Sequence, residues 1–153
     1  MADYYTHFSI VMKLPDLAAQ QYALALHAKA ESLTSDEEIP GEIPEELHTY
    51  LDDWTFDIQP DGHELSPGIW IQSEHGGVDA VCDFIQHLLK KFNMDGFVAF
   101  SWSNDCSKPR VDAFGGGAAF ITAKSIQSMS TSQWIAELTN NHTKIKPCLI
   151  PVT

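Results

Sequence analysis

Between Ser103 and Gly117 the chain reads Ser-Asn-Asp-Cys-Ser-Lys-Pro-Arg-Val-Asp-Ala-Phe-Gly-Gly-Gly. One thiol, Cys106, two cations, Lys108 and Arg110, and three consecutive glycines, Gly115, Gly116 and Gly117, share this stretch. Successive glycine N–H groups can form a nest that holds an anion, and Lys108 and Arg110 would add positive charge to it. The same cations favour a thiolate at Cys106, which makes it the candidate nucleophile. The plain structural reading is that the glycines supply a bulge or a positive φ while Arg110 neutralises acids elsewhere. The pattern is not that of a standard phosphate loop: these glycines open a strand, whereas Walker and Rossmann glycines open a helix.

The run Cys106-Ser107-Lys108-Pro109-Arg110, followed by Phe114-Gly115-Gly116-Gly117-Ala118, has an aromatic strand before it and Thr122-Ala123 after it. This stretch resembles an uncharacterised family of small proteins of phages, plasmids and bacterial genomes. The likeness covers residues 97–123, with a fainter one at Gly68-Ile69-Trp70-Ile71. It implies a mobile-element setting, in which small acidic proteins often act on host factors. It brings no assigned activity, and no functional residue is carried over from it.

The second chemistry is electrostatic. No lysine or arginine stands between Lys29 and Lys90, yet fifteen of the twenty-one acidic residues do. The densest part holds Asp36, Glu37, Glu38, Glu42, Glu45, Glu46, Asp52 and Asp53. Such a block must be solvated, neutralised from elsewhere in the fold, or offered to a basic partner. These eight residues are the candidate partner-binding set. Pairs such as Asp52/Asp53 or Asp61/Glu64 could do acid–base work, but nothing in the sequence drives their pKa values apart.

His63, Glu64, Glu74 and His75 flank a central hairpin, and Cys82 and His87 follow on a helix. None has a compact ligand spacing such as Cys-x-x-Cys or His-x-x-x-His. Cys82 and His87, five apart, point about 140° apart on a helix and cannot share a metal easily. No metal and no cofactor is expected. Trp54, Trp70, Trp102 and Trp134 read mainly as core, although aromatics on an uncovered sheet face can stack bases.

The formal charge is −12 over 153 residues. It argues against direct nucleic-acid or anionic-membrane binding, because phosphate contacts need basic clusters. The N-terminus lacks the basic start and apolar core of a secretory signal, and no apolar stretch approaches the length of a membrane span. Three widely spaced cysteines, Cys82, Cys106 and Cys148, argue against a disulfide framework. A cytoplasmic protein of one domain, with residues 34–53 as an acidic irregular insertion and 144–153 as an extended tail, is the expectation.

The elements that must position these groups follow from periodicity. Residues 5–14 alternate as a strand that Pro15 breaks, and Asp16 caps a helix to about Leu33. Leu17, Leu24 and Ala28, with Ala18, Tyr22 and Ala25 beside them, form its expected apolar stripe. Pro44 opens a short helix to about Leu51, and Trp54 to Gln59 alternates as a second strand. Ile69-Trp70-Ile71 is a third strand, pairing with the second as a hairpin. The clearest helix spans 78–92, with Val81, Ile85, Leu88 and Phe92 at helical spacing, flanked by Phe84 and Leu89. Strands at 97–103 and 117–122 follow, and Ser130 with Gln133 has capping-box spacing before a helix at 131–140. The order predicts an α+β fold, a ferredoxin-like split β-α-β sheet with an added C-terminal hairpin strand and helix. The rival is another open α+β sheet with a different strand order.

Two functions fit these residues. One is an acidic interaction protein that binds a basic surface of a host protein, as an inhibitor or nucleic-acid mimic. The other is a small anionic-ligand or nucleotide binder, or a thiol enzyme, centred on Cys106–Gly117.

Overall fold

The computed structural model describes residues 2–61 and 67–142. His63, Glu64 and the tail at 144–153 lie outside them. The described chain folds as β1 (Tyr4–Lys13), α1 (Leu17–Glu31), a 3-10 helix (Glu45–Asp53), β2 (Asp57–Pro60), β3 (Gly68–Ser73), α2 (Val78–Lys91), β4 (Phe97–Cys106), β5 (Gly115–Thr122), β6 (Ile126–Ser130) and α3 (Thr131–Asn141). The strands form one six-stranded sheet in the order β2-β3-β1-β4-β5-β6. Every neighbouring pair is antiparallel, so the fold is α+β. No described helix is long and apolar enough to cross a membrane.

The core lies between the sheet and α1, α2 and the 3-10 helix. Phe8, Met12, Ile69, Ile71, Phe100 and Ile121 face it from the strands. On α2, Val81, Phe84, Ile85, Leu88 and Leu89 are fully enclosed, as their helical spacing predicts. Phe92 caps that helix and is only partly buried. Gly77 starts α2 at a φ of 81°, in the left-handed region that a side chain disfavours.

The expected stripe on α1 is corrected in part: Tyr22 and Leu24 pack against the core, half-buried, but Leu17, Ala25 and Ala28 are exposed. Leu17 is 59% exposed, and the buried residues are Ala19, Gln20, Ala23, Leu26, His27 and Ala30. Apolar residues ring this helix on every side, so hydrophobicity does not choose its inner face. Size and hydrogen bonding do. Alanines let α1 lie close to the sheet, Gln20 Nε2 donates to the Gly68 carbonyl at 2.7 Å, and His27 Nε2 pairs with the Phe56 carbonyl at 2.8 Å. Both polar side chains thus find backbone acceptors at strand ends, the Gly68 carbonyl also accepting from Asp61 N–H at 3.0 Å.

Several boundaries also move, and one strand is new; β4 runs on to Cys106 and β5 begins at Gly115. The helix expected at 44–51 is a 3-10 helix, Glu45–Asp53, kinked at Tyr50. It ends so late that β2 begins at Asp57 and not Trp54, with Trp54 and Phe56 already in the core layer. The new strand is β6, which was not foreseen. A tight turn creates it, with Thr122 N–H donating to the Ser125 carbonyl at 2.8 Å and Thr122 Oγ1 accepting from Ser125 N–H at 3.0 Å. Ser130 caps α3 by accepting from Gln133 N–H, as its spacing predicts.

Candidate functional site

The acidic block lies on the helix-covered side of the sheet, where the 3-10 helix packs along α2. Two of its eight acids have side-chain partners within the chain. Glu42 pairs with Lys29 of α1. Glu46 accepts from His87 Nδ1 at 2.6 Å, while His87 Nε2 meets the Tyr22 hydroxyl at 2.7 Å. These partners differ from Arg110, the cation that the plain reading of the loop assigned to the acids. Asp36, Glu37, Glu38, Glu45, Asp52 and Asp53 are exposed and have no ion-pair partner among the described residues.

Some of the acids gather in two groups. The first borders a cleft of about 450 Å³ between the end of α1 and the 3-10 helix, with Glu31, Glu37, Asp52, His48 and Trp54 in its wall. Its floor is held in place by aromatic packing: the Trp54 ring lies 4.7 Å from Phe56 and meets Phe84 edge-on at 5.7 Å. Trp54 Nε1 is buried with no acceptor among the described residues. The second group runs along the seam between the 3-10 helix and α2. Burial and the nearby Asp79 push the Asp53 carboxyl above its ordinary range. Burial, Asp79 and Glu46 do the same to Asp83, against the opposing pull of Lys90. The fold therefore brings carboxylates together where burial first, and repulsion second, raises their proton affinity.

Sequence reasoning missed Glu31, His48 and Trp54 as companions of the block: His48 and Trp54 stand in and next to the 3-10 helix, and Glu31 faces them across the cleft from the end of α1. Asp79 and Asp83 were legible: four apart on a helix, they are a like-charge pair on one face.

The Cys106–Gly117 stretch is built differently from a nest. Gly115, Gly116 and Gly117 belong to β5 and pair in register with Asn104, Ser103 and Trp102. Strand backbone turns successive N–H groups to opposite sides, and the Gly116 N–H donates to Thr131 Oγ1 at 3.1 Å. Their φ values are not positive, so neither the nest nor the positive-φ reading describes them. Glycine is required here by close approach: a Cβ at Gly117 would overlap the Trp102 ring. Cys106 is half-buried at the end of β4, opposite Tyr4, and Lys108 and Arg110 are exposed on the loop beyond it. Cys82 is buried on α2, where desolvation, with Asp79 and Asp83, pushes its thiol up to about 12. His87 has both ring nitrogens engaged and offers no lone pair to a metal.

Compared with protein-family models, with curated proteins and with solved structures, the chain matches none.

Proposed function

We propose that this chain is an acidic docking protein that engages a basic surface of a partner protein, taking a lysine or arginine side chain into the cleft of Glu31, Glu37 and Asp52. The observation that supports this most is electrostatic. The fold gathers carboxylates at the cleft and along the α2 seam and leaves most of them without a cation among the described residues. A basic partner would relieve that repulsion and would be drawn in quickly by the field. Trp54 at the cleft wall adds an aromatic surface suited to a cation. The scaffold is proposed to be ferredoxin-like, with β1 to β4 and the first two helices as the split β-α-β unit, extended by β5, β6 and α3. That reading is supported by the strand order β2-β3-β1-β4. A mobile-element setting, with a basic host protein as target, follows the resemblance of residues 97–123.

The test is a titration with short oligolysine and oligoarginine peptides, read by amide chemical shifts and tryptophan fluorescence. Shifts should concentrate at Glu31, Glu37, Asp52 and Trp54 and weaken as salt rises, since exposed charges are screened over about 8 Å at physiological ionic strength. The pair Glu37→Gln and Asp52→Asn should weaken binding about tenfold, as expected when two charges that steer and anchor a cation are lost. Peptide shifts spread evenly over the surface, or affinity unchanged in the double variant, would refute the cleft as the docking site.

A further inference from the structure

The contacts at His87 form a directed chain. Nδ1 lies 2.6 Å from Glu46 Oε1, and Nε2 lies 2.7 Å from the Tyr22 hydroxyl. A carboxylate only accepts, so the proton of the neutral ring sits on Nδ1 and is donated to Glu46. Nε2 is then a bare lone pair, and the Tyr22 hydroxyl donates to it. A hydroxyl that donates to an imidazole, whose other nitrogen donates to a carboxylate, is the arrangement that activates an oxygen nucleophile. The imidazole takes the proton, and the carboxylate fixes the tautomer and steadies the charge. The three groups come from three elements, α1, the 3-10 helix and α2, so no local turn imposes their alignment.

The surroundings hold the chain in place. His87 is buried, and its ring keeps these two partners. The Tyr22 ring meets Phe92 edge-on at 5.5 Å and has Lys91 Nζ over its face at 5.2 Å. Tyr22 is half-buried at the rim of the core, so part of it reaches solvent. Burial and the charge of Glu46 push its hydroxyl up from the ordinary tyrosine value. No phenolate therefore stands ready; the proton leaves as a new bond forms at the oxygen, as it does from a serine nucleophile. Charge selects the electrophile. Asp83 stands one turn before His87 on α2 and feels the charge of Glu46. A phosphoryl or sulfuryl donor brings negative charge into this field and is repelled. A neutral acyl ester is not.

We propose that Tyr22 is a nucleophile that accepts an acyl group from an activated ester, with His87 as its general base and Glu46 as the residue that positions His87. The bond from Tyr22 Oη to the acyl carbon forms, and the carbon–oxygen bond of the ester breaks. The hydroxyl proton passes to His87 Nε2 and from there to the departing alkoxide or phenolate, which carries away the electron pair of the broken bond. The products are an O-acyl tyrosine and a free alcohol or phenol, with the imidazole neutral again. Glu31, Glu37 and Asp52 take no part, so this site and the basic-peptide cleft stand or fall separately.

Treating the full chain with p-nitrophenyl acetate near neutral pH tests this, with acetylated residues mapped and timed by peptide mass spectrometry. Tyr4, 60% exposed, serves as the unassisted phenol. Tyr22 should be acetylated about a hundredfold faster than Tyr4 although it is less accessible, the scale of general-base assistance. His87→Gln should bring Tyr22 down to the Tyr4 rate or below, and Tyr22→Phe should remove the adduct. Glu46→Gln offers Nδ1 either an N–H or a carbonyl, no longer fixes the tautomer, and should slow Tyr22 by about tenfold or more. Circular dichroism confirms that the variants fold. The ring itself gives a readout that packing alone would not move: nitrogen chemical shifts of His87 should report a proton on Nδ1 and a bare Nε2 in the wild type, and a mixture of tautomers in Glu46→Gln. Tyr22 acetylated no faster than Tyr4 in the wild type overturns the proposal whatever the variants do. A neutral His87 ring with its proton on Nε2, or a Tyr22 rate that folded His87→Gln leaves unchanged, overturns it as well.

Discussion

His87 is the most heavily engaged side chain on the acidic side. Its ring is held by Glu46 of the 3-10 helix at one nitrogen and by Tyr22 of α1 at the other, so one imidazole ties three elements together. Tyr22 in turn packs edge-on against Phe92, with Lys91 over its face at 5.2 Å. Removing the ring leaves a half-buried phenol and an exposed carboxylate without their partner. His87→Ala should therefore destabilise the fold by about 1–3 kcal/mol, the worth of a hydrogen bond to a charged group. Tyr22→Phe, which deletes one hydroxyl, should cost about 1 kcal/mol or less. Urea denaturation of the two variants checks the order; equal, negligible losses would mean that the network is ornamental to stability. None of this was visible in sequence. Tyr22 and His87 are 65 residues apart, and Glu46 and His87 are 41 apart, so only the fold brings them together.

At the scale of elements, local signals carried far and tertiary ones did not. Asp16 and Ser130 each accept a backbone N–H three residues on, at 2.8 and 3.2 Å, because a cap needs only its own turn to be recognised. The α2 stripe was legible since its large apolar residues lie on one side. α1 was not, because its inner side is chosen by smallness. That makes a contrast that can be measured. Ala23→Leu adds three carbons where a helix lies close to the sheet and should cost about 1–3 kcal/mol by overpacking. Leu17→Ala, on the exposed side, should stay within about 0.5 kcal/mol. Thermal melts of both variants decide the facing of α1, and the opposite ranking would restore Leu17 to the core. β6 escaped prediction because Ile126 to Ser130 is short and mostly polar, and its strand character comes from pairing with β5. The acidic block was legible as composition; the cleft it lines was not, since Glu31 and Trp54 reach it from different elements.

The whole molecule carries its charge unevenly, and stability should respond to pH accordingly. Asp53 and Asp83 have folded-state proton affinities above their unfolded ones. The folded chain thus binds more protons than the unfolded chain just above the ordinary aspartate range, and stability rises as pH falls through that window. Asp83→Asn should raise the melting temperature at pH 7, by the small amount typical of a surface change, about 0.5 kcal/mol or less. The gain should shrink as pH falls through the window above the ordinary aspartate range, where the wild-type carboxyl itself takes up a proton. A gain that persists unchanged through that window would show that the carboxylate's charge is not its source. The one-sided helix layer has a further outcome. With carboxylates concentrated above the sheet and few charges below it on β4 to β6, the molecule is a permanent dipole. In the field of a cationic body it turns before it touches, acidic side leading, sheet side trailing. On an amine-coated surface it would settle in one orientation, with Phe97, Phe120 and Met129 outward and open to whatever arrives next.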